Sequence, residues 1–272
     1  MTPKNFGEKM RKITVITGAT GGLGKAFSRI CAAKGYSLLL TGRSEEKLRL
    51  LKAELENAYK GADVKTFACD LSDATSRETL IAEMQRGEIQ VERLINVAGV
   101  DIQKALSAYT QEKIAFQIRV NLEAPVALCA AVLENRAETL EIVNISSVSG
   151  YCPMPYFAIY SATKSALTSF SLALREEMRG KGVRVTAVVA GAMPTREDIK
   201  AQIKGQGLWG KLAAKSPEWV AEKSLRAVQK NKGKYVAGFW NRAMNGFLKL
   251  LPTSWKLRFI AKRWGKISKD AF

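Results

Sequence analysis

Short apolar, β-rich runs alternate with longer amphipathic helical patterns along most of this chain, and that alternation constrains its fold more than any other feature. Residues 12–17, 37–41, 64–68, 94–97, 141–146 and 183–189 read as strands, with helical patterns such as 45–59, 74–86 and 111–134 between them. The runs are mostly apolar instead of alternating apolar with polar, as expected for strands buried on both faces. Strand-helix alternation implies parallel pairing through crossover helices, so the expected fold class is α/β, a doubly wound parallel sheet. At 272 residues, 47% hydrophobic and 25% charged, the chain has the length and composition to bury a sizeable core. No Pro/Gly/Ser-rich linker divides residues 1–230, which read as one domain; residues 231–272 read as a helical C-terminal appendage.

The first strand run ends in Thr17-Gly18-Ala19-Thr20-Gly21-Gly22-Leu23-Gly24 and leads straight into a helical pattern at 25–34. Glycines there let the backbone turn tightly, approach a pyrophosphate closely and aim helix N-terminal N–H groups at anionic oxygens. By itself the cluster is also compatible with a plain tight turn. At the end of the second strand run the sequence is Thr41-Gly42-Arg43-Ser44, with no carboxylate. An NAD-binding fold usually places an acid there to accept hydrogen bonds from the ribose hydroxyls. A guanidinium instead suits a 2′-phosphate, so Arg43 favours NADP(H) over NAD(H), unless it is only a solvated residue at a helix start.

Histidine is absent. That excludes a Ser-His-Asp triad, a Cys-His pair and any His-ligated metal site, and leaves proton chemistry to Tyr, Lys, Asp, Glu or Cys. Cys31, Cys69, Cys129 and Cys152 stand far apart without a CxxC pair, so they read as reduced core thiols and no metal is expected. The fifth strand run ends in Ser146-Ser147; Tyr160 stands thirteen residues after Ser147, and Lys164 four further on. On a helix the i, i+4 spacing stacks Tyr160 and Lys164 on one face. A phenol with a pKa near about 10 is a poor acid or base at neutral pH, and a neighbouring ammonium lowers it. Tyr plus Lys is thus a histidine-free route to proton transfer.

The TGxxxGxG turn and the Ser-x12-Tyr-xxx-Lys set together resemble the short-chain dehydrogenase/reductase family, over roughly residues 10–230. Asn96-Val97-Ala98-Gly99 is similar to the family's NNAG, with Val97 in place of the second Asn. Asp70-Leu71 matches its adenine-contacting Asp, and Asn121 matches its helix Asn that supports a water chain to the catalytic Lys. Gly191 and Thr195 match the loop after the sixth strand, whose Thr hydrogen-bonds the nicotinamide carboxamide; Ala190 replaces the usual Pro. The resemblance implies a Rossmann-type catalytic domain at 1–230 holding NADP(H) through Gly18, Thr20, Gly22, Leu23, Gly24, Arg43, Asp70, Leu71, Asn96, Gly99, Tyr160, Lys164, Gly191 and Thr195. It implies Tyr160 as general acid/base, Ser147 as the partner of the substrate oxygen, Lys164 lowering the Tyr160 pKa and holding the ribose, and Asn121 completing the catalytic set. The reaction implied interconverts a carbonyl and a secondary alcohol. The resemblance also implies a homo-oligomer, dimer or tetramer, built through Gln111–Glu134 and 157–179. Singly, Ser147 is also compatible with a strand-end cap and Asn121 with a buried amide. A binding or regulatory protein on a reductase-like shell stands as the alternative to an enzyme.

In the loop after the sixth strand run, Met193, Ile199, Ile203, Leu208 and Trp209 alternate with lysines, and Tyr151, Met154 and Phe157 could add apolar wall. Either they line a pocket for a lipophilic substrate, such as a steroid or a long-chain or acyl-derived ketone, or they pack a lid. Half the net charge of +18 sits at the end of the chain: from Asn231 onward ten Lys/Arg face Asp270 alone. Trp240, Ala243, Met244, Phe247, Leu248 and Leu251 form an apolar helical stripe stopped by Pro252. Ser254 could cap a second helix bearing Trp255, Phe259, Ile260 and Trp264 among Lys256, Arg258, Lys262, Arg263 and Lys266. Such a tail suits an anionic membrane surface, and equally a helix pair packed on the core or on a partner subunit. Nucleic acid is a weaker fit, since no zinc finger, RNP-like or helix-turn-helix pattern accompanies the charge. The polar start at 1–12 fails the signal-peptide pattern, and the longest apolar run, 126–133, falls short of the ~20 residues of a spanning helix. The expectation is a cytoplasmic protein, peripheral at the inner face of a membrane where it meets one.

Overall fold

A computed structural model describes residues 11–86, 89–195, 197–205, 210 and 212–264. Its strands are β1 (Arg11–Thr17), β2 (Leu38–Gly42), β3 (Val64–Ala68), β4 (Ile89–Asn96), β5 (Arg136–Ser147), β6 (Val183–Ala190) and β7 (Lys234–Val236). All pair in parallel in one sheet of order β3-β2-β1-β4-β5-β6-β7. This is the doubly wound, Rossmann-type α/β fold. The central strands are apolar on both faces because both faces are covered: Val15, Ile16, Leu94, Ile95, Ile142 and Val143 have no exposed surface.

One face packs against α1 (Gly22–Ala33), α2 (Glu45–Ala58) and α8 (Pro217–Gln229), through Phe27, Leu48, Leu51 and Val228. The other packs against α3 (Ala74–Gln85), α5 (Ala124–Glu134) and α6 (Ala158–Glu177), through Leu80, Met84, Leu128 and Leu174. Local chemistry sets the helix starts: Ser44, Asp73, Thr110 and Ser216 each accept a hydrogen bond from a first-turn amide. Cys31, Cys69 and Cys129 are buried free thiols, and burial pushes Cys31 and Cys129 up to about 12, which leaves them protonated and unreactive.

Three features differ from the sequence reading. The strand β7 lies within the stretch read as appendage; at three residues it is too short to show a pattern, and it is held to β6 by Ala187 N–H on Gly233 O at 2.9 Å and Thr186 Oγ1 on Lys232 O at 2.6 Å. The helical stretch Gln111–Glu134 is α4 (Gln111–Ile118), a π-helical turn (Arg119–Glu123) and α5 in series. Pro125 has no N–H for the carbonyl of Asn121, four residues back, and the backbone widens there. That stretch is the one described segment long and apolar enough to cross a membrane; half of its apolar window is buried, with Val120, Leu128 and Val132 in the domain. In the tail, α9 (Phe239–Leu250) and α10 (Thr253–Trp264) flank Pro252, so Ser254 lies inside α10 instead of capping it. Between β6 and α8 runs α7 (Glu197–Gly205).

Candidate active site

A cleft of about 680 Å³ crosses the C-terminal ends of the strands. The sheet order places it where β1 is flanked by β2 on one side and β4 on the other, the switch point at which open α/β sheets take ligands. Gly18 makes the close approach possible: its φ is +61°, and a Cβ there would stand 2.8 Å from the Cα of Ala98, at the exit of β4. A Cβ on Gly22 would stand 2.6 Å from Cγ2 of Thr195, so the turn and the loop after β6 close against each other only because the turn has no side chain. The N-terminus of α1, with Gly21 as its cap, faces the cleft.

Most of the residues singled out in the sequence converge here. Gly18, Thr20, Gly22, Leu23 and Gly24 form one wall, with Arg43, Asp70 and Leu71 beyond the ends of β2 and β3. Gly99, Ser147, Tyr160, Lys164, Gly191 and Thr195 line the other half. Arg43 is exposed, with its guanidinium carbon 5.9 Å from the Phe116 ring centroid. Asp70 Oδ1 accepts from the amide and the hydroxyl of Ser72, at 2.8 and 2.7 Å, which fixes its turn. Two expected residues stand outside the cleft wall. Asn96 is buried, and its Nδ2 donates to Asn144 Oδ1 at 2.8 Å, because β4 and β5 pair at that position; it ties strands together where a cofactor contact was expected. Asn121 is buried behind Gly99, its amide group donating to and accepting from the backbone of Val100 at 2.9 and 2.8 Å.

Lys164 is the buried charge of the site, 4% exposed. Its Nζ donates to the carbonyl of Ile145 at 2.9 Å and lies 5.9 Å from the Tyr160 ring centroid. Burial lowers its pKa from 10.5 to about 8, with the nearby Asp101 carboxylate working against the shift. The fixed position of α6 comes from its neighbour Ser146, whose Oγ donates to the carbonyl of Lys164 at 2.8 Å and accepts from Thr168 Oγ1 at 2.7 Å. Ser147 Oγ accepts from the amide of Ser149 at 3.1 Å, so it caps the turn after β5 while still lining the cleft. Tyr160 is half-buried, its ring 5.8 Å from that of Phe157.

The remaining wall is apolar. Met154, Phe157, Met193 and Ile199 line it as expected; Ile203 is buried elsewhere, Tyr151 lines a neighbouring cavity of about 390 Å³, and Leu208 and Trp209 lie outside the described residues. The sequence reading missed Asp101 and the roof. Asn241, Met244, Asn245 and Leu248 of α9 and Ile260 of α10 complete the cleft, with Asn241 so close to Gly191 that a Cβ there would stand 2.5 Å from its Nδ2. The i, i+4 pair of amides in an apolar stripe was the available signal.

The family model described as short chain dehydrogenase matches residues 12–204. The chain belongs to the short-chain dehydrogenase/reductase family. Relatives of this dehydrogenase/reductase include sulfoacetaldehyde reductase 2 of Chromohalobacter salexigens, 36% identical over 194 residues, 68% of this chain and 74% of that protein. Another is the very-long-chain 3-oxoacyl-CoA reductase of Neurospora crassa, 35% identical over 187 residues, 66% of this chain and 56% of that one. A solved structure concerned with 7β-hydroxysteroid dehydrogenase stereoselectivity shares the fold with a TM-score of 0.81 at 24% identity, covering 93% of this chain and 98% of its own. Membership makes the chain an oxidoreductase of a family that uses nicotinamide cofactors.

Proposed function

We propose that this oxidoreductase uses NADP(H) to interconvert a carbonyl and a secondary alcohol on a lipophilic substrate. The observation that carries the reading is the cleft itself: a side-chain-free glycine turn and an exposed arginine at one end, Ser147, Tyr160 and buried Lys164 in the middle, and an apolar wall at the other. The glycine turn and the α1 N-terminus suit the pyrophosphate. Arg43, with no carboxylate beside it at the end of β2, suits the 2′-phosphate. When bound, the cofactor supplies or accepts the hydride. Tyr160 gives the substrate oxygen its proton in reduction and takes it back in oxidation, while the Ser147 hydroxyl holds that oxygen. Lys164, with its charge buried 5.9 Å from the Tyr160 ring centroid, favours the phenolate. Asn121 braces the loop at Gly99 that lies against Lys164. The apolar wall of Met154, Met193, Ile199, Met244 and Leu248 favours a steroid, a long-chain ketone or an acyl-derived ketone. The very-long-chain 3-oxoacyl-CoA reductase among its relatives supports the last of these. A homo-oligomer, with peripheral placement at an anionic membrane surface through the tail, completes the reading.

Titrating the tryptophan fluorescence with NADPH and then NADH tests the cofactor assignment. NADPH is expected to bind far more tightly, and Arg43→Ala to weaken NADPH by about 10- to 100-fold, the worth of a hydrogen bond to a charged group, while leaving NADH unchanged. Equal affinities in the unsubstituted protein, or an Arg43→Ala protein that still prefers NADPH, would remove the 2′-phosphate role.

A further inference from the structure

The tail helix α9 keeps large apolar side chains on its outward face as well as Met244 and Leu248 toward the cleft. A helix on a water-soluble domain turns its apolar face to the core and its polar face to solvent. Here Asn241 and Asn245, on one face of α9, are 7% and 9% exposed against the cleft, while Phe239, Phe247 and Leu250 are 65%, 58% and 82% exposed. The next helix continues the surface, with Trp255 and Phe259 at 65% and 67%. These make up the main cluster of exposed large apolar side chains among the described residues.

Charge says what kind of surface this apolar face fits. Arg242, Arg258 and Lys262 are exposed among the aromatics, with Lys256 partly so, and no Asp or Glu occurs anywhere between Glu222 and Asp270. A second copy docked by two-fold symmetry would set these cations against their own images with no carboxylate to meet them. An anionic lipid interface accepts both parts at once, the rings at headgroup depth and the cations on the phosphates.

We propose that the outward face of α9 and α10, carried by Phe239, Phe247, Leu250, Trp255 and Phe259, docks on an anionic bilayer directly over the substrate end of the cleft. It rests on the peripheral placement proposed above and names its surface. Because the same two helices form the cleft roof through Asn245, Leu248 and Ile260, docking leaves the site about one helix diameter, roughly 10 Å, from the lipid. A membrane-dissolved ketone or alcohol would then reach Tyr160 without crossing bulk water.

Co-sedimentation of the full chain with phosphatidylcholine vesicles, and with equal parts phosphatidylcholine and phosphatidylglycerol, tests this. The unsubstituted protein is expected to bind the mixed vesicles about tenfold or more better than the neutral ones, and added salt to weaken that binding. The triple variant Phe247→Ser, Leu250→Ser, Phe259→Ser and the separate variant Arg242→Gln, Arg258→Gln, Lys262→Gln are each expected to lose about tenfold or more on mixed vesicles. NADPH affinity should stay unchanged in both, which reports an intact cofactor site. Variants that bind vesicles like the parent would overturn the assignment of this surface while leaving membrane placement standing. A parent that ignores lipid charge, or binds no vesicle, would overturn both. Substitutions that instead split an oligomer would identify the face as a subunit interface and overturn the proposal.

Discussion

Tyr160→Phe is expected to lower kcat by about a hundredfold to ten-thousandfold with little change in cofactor affinity or thermal stability. The range is what a positioned general acid/base contributes. The substitution removes one oxygen and keeps the ring, so the packing on Phe157, at 5.8 Å between centroids, survives. The proposed reaction leaves the proton to the phenol: the chain has no histidine, Ser147 is an ordinary hydroxyl, and the Lys164 ammonium is held on the Ile145 carbonyl. Loss should therefore appear in turnover in both directions. Steady-state rates with a series of ketones and alcohols, beside NADPH titration and a thermal melt, separate the cases. A Tyr160→Phe protein that turns over at more than about a tenth of the parent rate would make the phenol a bystander. If no substrate is turned over even by the parent, while vesicle binding persists, the reductase shell serves another purpose.

How much of this was visible in the sequence depends on how local each feature is. The glycine turn and the Ser147, Tyr160, Lys164 spacing were legible because each sits on one short segment whose geometry is fixed by a strand end or a helical turn. Pro125 was readable as a residue, but not its effect of opening a π turn at Asn121 within a stretch that reads as one helix. The position of Asn96 at a strand end was readable, but its hydrogen bond to Asn144 follows from the β4–β5 register and has no local signature. The buried pair Arg93 and Glu141, 2.6 Å apart and 48 residues apart in sequence, had no local signature at all; only the β4–β5 register brings it together. The tail was the most instructive case. Its apolar stripe was plain, but period alone cannot say which members face in: Met244 and Leu248 line the cleft beside Asn241 and Asn245, while Phe247 faces out.

Lys164→Met is expected to abolish turnover while raising the stability of the cofactor-free protein at neutral pH. The folded lysine titrates at about 8 against 10.5 for the free side chain, because burial disfavours the ammonium. Below pH 8 the ammonium is charged in both folded and unfolded chains, so the folded state bears the whole penalty, on the order of 3 kcal/mol. Between pH 8 and 10.5 the unfolded chain binds more protons than the folded one, and the penalty fades as pH rises. Methionine keeps the length and lacks the charge; it also leaves the Ile145 carbonyl without its donor, which returns about 1 kcal/mol. The net gain at pH 7 is therefore about 2 kcal/mol, a few degrees in Tm for a chain of this size. Repeating the melts at pH 10 should shrink the gain toward zero or reverse it, a dependence that improved packing alone would not produce. A variant that melts below the parent at every pH would show that the buried ammonium costs the fold nothing. One that melts higher yet still turns over would show that Tyr160 does not need the charge. Both expected results together would mean that the fold tolerates an unfavourable buried cation for what it does to the neighbouring phenol, a trade of stability for chemistry made at one side chain.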